Sequence, residues 1–249
     1  MSPFVEGSGD IRVLVLHGWA LDSAVWATTR LETDLDRFTY AYVDFPGYGP
    51  NRSAAGTPAV GIDGMAAAAL AAADVLGWET FEVLGHSMGG ATALRVATMA
   101  PDRVNSVVAL TPVSAFGTPF DEATYEGFVS AYSDPGPTLG GLAPHLSKAQ
   151  LQNLVSRSQT VLDRDIWEAY LANWSSASFG HELSGYSGQV ILAYGDSDPF
   201  VNHAYLQETA AALPQGSMVA IERAGHYPMI ETPVQTVRIW EDAFNDTQK

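Results

Sequence analysis

The chain has 249 residues, 47% hydrophobic and 16% charged, enough to bury one large core and too apolar to stay disordered. Its 28 carboxylates against 12 Lys and Arg give a formal net charge of −16, which argues against nucleic acid and anionic membrane as partners. It has no cysteine, which excludes disulfides, thiolate metal sites and a cysteine nucleophile.

The first residues, Met1-Ser2-Pro3-Phe4-Val5-Glu6-Gly7, carry neither a basic stretch nor a long apolar one. Ile11-Arg12-Val13-Leu14-Val15-Leu16 is a nearly continuous β-rich run, the pattern of a strand buried on both faces of a parallel sheet. His17-Gly18-Trp19 ends it. Ser23 is placed to cap a helix from Ala24 to about Asp36. Phe38 to Val43 reads as the next strand, followed by the turn-rich Asp44-Phe45-Pro46-Gly47-Tyr48-Gly49-Pro50. An Ala-rich helix is predicted from Ile62 to Leu76, closed by Gly77. The apolar run Met65 to Leu76 falls short of the roughly 20 residues a membrane span needs, and a soluble cytoplasmic protein is expected. Phe81-Glu82-Val83-Leu84 then leads into Gly85-His86-Ser87-Met88-Gly89-Gly90 and an Ala-rich helical segment to Ala100. Val104 to Thr111 is another buried strand. Strand and helix alternate, which predicts the α/β class: a mostly parallel sheet with helices on both faces.

The rhythm breaks after Pro112. No strand-like run occurs between Ser114 and Gly188, and Pro119, Pro135, Pro137 and Pro144 punctuate helical patterns. Tyr125, Phe128, Val129 and Tyr132 fall on one helix face, and Trp167, Tyr170, Leu171 and Trp174 repeat the spacing. The predicted organisation is a core of residues 1–113 and 189–249 carrying a helical cap, 114–188. Its aromatics, with Phe116, either form the packing seam on the core or line a substrate pocket. The sheet resumes at Gln189 to Tyr194, which ends in Gly195-Asp196-Ser197-Asp198-Pro199. A helix from His203 to Leu213, a strand from Ser217 to Ile221 ending in Ala224-Gly225-His226, and a helix from Thr232 to Phe244 complete the chain.

Ser87 sits at the apex of a strand-turn-helix with a glycine two residues to each side. The pattern alone is weak, and its context gives it meaning. Ser87, Asp198 and His226 each follow a different predicted strand, at the sheet edge where ligands bind in open α/β folds. A serine hydroxyl needs a base within hydrogen-bond reach, and the base needs an orienting acid. Asp196 competes with Asp198 for the last role. His145, His181 and His203 show no spacing with carboxylates that suggests metal ligation, and no cofactor is implied.

These motifs together resemble the α/β-hydrolase superfamily over nearly the whole chain. The resemblance rests on His17-Gly18-Trp19, Asp44-Phe45-Pro46-Gly47-Tyr48-Gly49, Gly85-His86-Ser87-Met88-Gly89-Gly90, Gly195-Asp196-Ser197-Asp198-Pro199, and Gly225-His226-Tyr227-Pro228 with Glu231-Thr232-Pro233. The His-Gly-Trp form is most similar to small bacterial carboxylesterases such as pimeloyl-carrier-protein methyl esterases. The resemblance implies an α/β-hydrolase fold, Ser87 as nucleophile, His226 as base, and Asp198 as acid by the family's Gly-x-x-Asp spacing. It also implies an oxyanion hole from the backbone N–H groups of Trp19 and Met88, with Trp19 a possible pocket wall, and packing roles for His17 and His86. The expected activity is hydrolysis of a small-molecule carboxylic ester. Lactone opening, C–C bond hydrolysis, thioester or amide hydrolysis and perhydrolysis on the same residues stay open, as does a non-turnover receptor. One departure is the insertion of Pro50-Asn51-Arg52 before Ser53 in the loop after Gly49.

Overall fold

A computed structural model describes residues 3–52 and 60–246; Met1, Ser2 and Ser53 lie outside the described residues. Among the described residues, seven strands form one sheet: β1 Phe4–Gly7, β2 Ile11–Leu16, β3 Phe38–Val43, β4 Phe81–His86, β5 Val104–Leu110, β6 Gln189–Gly195 and β7 Gly216–Ile221. Their order is β1-β3-β2-β4-β5-β6-β7, and all pairs but β1–β3 are parallel. The helices are α1 Ile62–Val75, α2 Met88–Met99, α3 Glu122–Ser130, α4 Gly136–Leu142, α5 Lys148–Val161, α6 Arg164–Ser175, α7 His203–Ala212, α8 Pro228–Glu231 and α9 Pro233–Asp246.

The strand runs are apolar because both faces are covered. Leu14, Leu16, Val83 and Val107 point to the side of α1 and α2. Their neighbours Val13, Val15, Leu84 and Val108 point to the side of Trp26, Trp240 and Phe244. The period-2 alternation thus divides one hydrophobic run between two cores.

Helices α3 to α6 and a 3-10 turn, Gly180–Gly185, form the helical insertion between β5 and β6. Trp167, Tyr170, Leu171 and Trp174 of α6 are all buried, as their shared face requires. The ion pair between buried Asp22 and Arg157 of α5 ties the insertion to the loop after β2.

One expectation is corrected. The helix from Ala24 to Asp36 is replaced by short 3-10 turns, Ser23–Trp26 and Thr29–Leu31. Asp22, not Ser23, accepts the capping amide of Ala24, while Ser23 gives its amide and hydroxyl to Asp44. Thr29 and Thr33 hydroxyls bond the carbonyls three residues back, and Asp34 takes the amide of Asp36. Such local side-chain bonds compete with a continuous helix. Ahead of β2 the structure also has a strand the sequence did not show, β1, antiparallel to β3 at the sheet edge. Arg30 covers its exposed Phe4, 4.5 Å from the ring centre.

No helix among the described residues is long and apolar enough to cross a membrane.

Candidate active site

The turn at Ser87 follows from close packing of backbone. Ser87 adopts φ +53°, ψ −116°, a region L-residues rarely occupy and one that costs on the order of 1–3 kcal/mol. Its carbonyl accepts the amides of Gly90, Ala91 and Val113, and its own amide donates to Leu110, so the surroundings fix the strained conformation. A Cβ at position 85 would lie 2.1 Å from the Gly89 carbonyl oxygen, and one at 89 would lie 2.3 Å from that of His17. Only glycine allows helix α2 to start so close to β4 and the loop after β2.

The turn brings Ser87 against residues from two other strand ends. Ser87 Oγ is 3.0 Å from His226 Nε2, and His226 Nδ1 is 2.8 Å from Asp198 Oδ2. The three are 7%, 3% and 4% exposed for Ser87, His226 and Asp198. The other carboxylate oxygen, Oδ1, accepts the amides of Phe200 and Val201 at 2.8 and 3.0 Å. A carboxylate only accepts, so the imidazole proton sits on Nδ1. That leaves the Nε2 lone pair to accept the Ser87 hydroxyl proton. Asp196 is elsewhere: its carboxylate accepts the Ser197 hydroxyl and the Arg223 amide, and these bonds, the hydroxyl first, hold its pKa below the ordinary range.

His17 and His86 brace this arrangement. His17 Nδ1–H donates to the Gly18 carbonyl at 2.8 Å, and Nε2 accepts the Phe45 amide at 3.1 Å. The loop carrying Trp19 is thereby tied to the loop after β3. His86 Nε2–H donates to the His226 carbonyl at 2.8 Å, and Thr111 Oγ1 donates to the same oxygen at 3.1 Å. Burial lowers the pKa of both imidazoles from 6.5, that of His86 well below it with the neighbouring His226 adding to the effect.

Such groups stay neutral in the fold and take up a proton when the chain unfolds. Their contribution to stability is complete above about pH 6.5 and is lost as pH falls from there toward the depressed folded values. Each adds a slope of up to about 1.4 kcal/mol per pH unit. Urea midpoints are expected to decline between about pH 7 and pH 5. His86→Asn is expected to flatten that decline, and an unchanged slope would refute this account.

The Met88 amide is the first of α2 and has no carbonyl partner within its own helix. It lies at the positive end of the helix, beside Ser87. Trp19 forms one wall of a cleft above Ser87. Its ring centre is 4.0 Å from that of Trp167, 5.9 Å from Phe128 and 6.1 Å from Trp174. The indole N–H groups of Trp19 and Trp167 donate to the carbonyls of Trp167 and Phe128. The cleft is narrow, with a cavity volume of ≈ 30 Å³.

Of the aromatic candidates in the insertion, Phe128, Trp167 and Trp174 line the cleft with Trp19. Phe116, Tyr125 and Tyr170 do not. Phe116 packs on His181, Tyr125 packs against the core, and Tyr170 donates to the Pro46 carbonyl and rests on Tyr48. Tyr170 thus belongs to the seam between insertion and core, while Phe116 packs within the insertion. The sequence reading missed Phe200, Tyr227, Leu139 and Leu142 as cleft residues. Phe200 and Tyr227 were findable, being two and one positions beyond Asp198 and His226.

A parallel sheet with a strained serine turn and a Ser–His–Asp chain at its strand ends defines a class, and the sequence places the protein in it. The profile of the Alpha/beta hydrolase family matches residues 13–239, and the chain belongs to that family of hydrolases. It is 27% identical over 243 residues to a pimeloyl-[acyl-carrier protein] methyl ester esterase from Cronobacter sakazakii, spanning 91% of this chain and 90% of that one. It is 29% identical over 241 residues to the dihydrolipoyllysine-residue acetyltransferase component of the acetoin cleaving system from Cupriavidus necator. That match spans 91% of this chain and 61% of the relative's length. Among solved structures, a hydrolase from Oleispira antarctica superposes with a TM-score of 0.86 at 16% identity, covering 98% of this chain and 94% of that one.

Proposed function

We propose that the protein is a serine hydrolase that cleaves a small, uncharged carboxylic ester through an acyl-enzyme on Ser87. The observation that carries this reading is the unbroken hydrogen-bond chain from Asp198 through His226 to Ser87. Ser87 Oγ attacks the carbonyl carbon as His226 Nε2 takes its proton. Asp198 holds the imidazole in the Nδ1–H tautomer and stabilises the imidazolium that forms. The backbone N–H groups of Met88 and Trp19 receive the charge on the carbonyl oxygen, a donor of this kind contributing on the order of 3 kcal/mol. His226 then passes its proton to the departing alcohol. Water, deprotonated by the same imidazole, adds to the acyl carbon and releases the acid and Ser87. The residues of 114–188 act as a cap that closes the cleft over this chemistry.

The restriction to uncharged acyl groups comes from the cleft lining, which among the described residues contains no Asp, Glu, Lys or Arg. The cations of the insertion are Lys148, Arg157 and Arg164, of which Arg157 is paired with Asp22 and Arg164 with Glu168. A carboxylate on the acyl chain would enter without a partner, at a cost of at least about 3 kcal/mol, roughly a 100-fold loss in kcat/KM. p-Nitrophenyl butyrate is therefore expected to be hydrolysed at least about 100-fold more efficiently than mono-p-nitrophenyl succinate, which is of similar length. Equal efficiencies would remove the restriction. Turnover of neither, with no labelling of Ser87 by a fluorophosphonate, would remove the serine-hydrolase reading itself.

A further inference from the structure

One short stretch of the insertion grips the loops that carry both Asp198 and His226. It runs from Leu142, the last residue of α4, to His145, ahead of α5. The Leu142 carbonyl accepts the His226 amide at 2.8 Å. The His145 amide donates to Glu231 Oε1 at 3.1 Å. The other oxygen, Glu231 Oε2, accepts the amides of Gly225 and Tyr227 at 2.9 and 3.1 Å, one on each side of His226. His145 also reaches the acid loop: its Nε2 is 3.0 Å from Ser197 Oγ. The Ser197 hydroxyl gives its own proton to Asp196 at 2.8 Å, so the imidazole is the donor in this bond. Ser197 is the residue before Asp198.

We propose that Leu142–His145 and Glu231 act as a clamp, in which Glu231 and His145 are positioning residues that hold the acid loop and the histidine loop in register. Under this assignment the insertion sets the geometry of the proton relay as well as the wall of the cleft. The proposal rests on the reading of Ser87 as nucleophile and His226 as its base. Its physical basis is the tolerance of such a relay. A displacement of about 1 Å costs on the order of 100-fold in rate, and three of the bonds that fix residues 225–227 end on the clamp. Neither Glu231 nor His145 lines the cleft, so loosening them alters the relay and leaves substrate binding in place.

The test compares wild type with Glu231→Ala, Glu231→Gln, His145→Ala and Ser197→Ala. Kinetics on p-nitrophenyl butyrate, the rate of fluorophosphonate labelling at Ser87 and the melting temperature are measured together. Glu231→Ala is expected to lower kcat and the labelling rate in parallel by about 10- to 100-fold, with KM within about 2-fold. Glu231→Gln keeps one acceptor oxygen and is expected to recover part of that loss. His145→Ala and Ser197→Ala are expected to lose about 3- to 10-fold in kcat alone. Wild-type kcat in the Glu231 variants, or a loss carried by KM, overturns the clamp. If Glu231→Ala does not fold, the exposed His145 and the neighbouring Ser197 carry the test, and unchanged kcat in both overturns it. A wild-type protein unlabelled at Ser87 instead removes the underlying reading.

Discussion

Ser87→Ala is expected to lower kcat on p-nitrophenyl butyrate by about 10⁶-fold, close to the background of the site without its nucleophile. The substitution removes one oxygen from a residue that is 7% exposed, and it leaves the carbonyl that anchors Gly90, Ala91 and Val113. Alanine tolerates the φ of +53° about as poorly as serine does, so the backbone cost is shared by both proteins. The melting temperature is expected to stay within a few degrees, since less than about 1 kcal/mol of hydrogen bonding is lost. Substrate binding survives, because the aromatic cleft is untouched. Retained turnover in a protein with an intact fold would sink the acyl-enzyme mechanism.

Asp198→Asn is the second large effect, about 10⁴-fold in kcat. The amide fills the same space but presents an N–H₂ group or an uncharged oxygen to His226 Nδ1. The oxygen Oδ1 must still accept the amides of Phe200 and Val201, which turns the amide nitrogen toward the imidazole. Facing a donor, the imidazole shifts its proton to Nε2 and cannot accept one from Ser87. Asp196→Asn is expected to change kcat by less than about 3-fold, because that carboxylate serves the turn at Ser197 and Arg223. Stopped assays on the two purified variants distinguish them directly. A larger loss in Asp196→Asn would reassign the acid.

Much of this arrangement was readable from local chemistry. The strands showed as apolar runs because a parallel sheet is covered on both faces, and Gly85 and Gly89 marked the close approach of backbone at Ser87. What escaped the sequence reading depended on distant partners. The segment after Ser23 reads as a helix capped by that residue, yet its Thr and Asp side chains bond their own backbone and Asp44 draws Ser23 away. Strand β1 is short, three of its four residues are exposed, and its pairing with β3 is nonlocal. The helix periodicity placed Tyr170 and Trp174 on one face but could not divide them between seam and cleft, a difference of position along α6. Pro135 and Pro137 read as punctuation, although Gly136–Leu142 forms α4 and brings Leu139 and Leu142 to the cleft.

The uncharged cleft has a consequence for the end of the cycle. Under the proposed chemistry a neutral ester enters and an acid leaves, and that acid ionises at neutral pH. Among the described residues the lining offers that acid no Lys or Arg, and a protein of net charge −16 surrounds the mouth. The product is thus less at home in the site than the substrate was, and its departure is driven by the same absence of charge that selects what comes in. Selection at entry and clearance at exit are two results of one choice of lining residues.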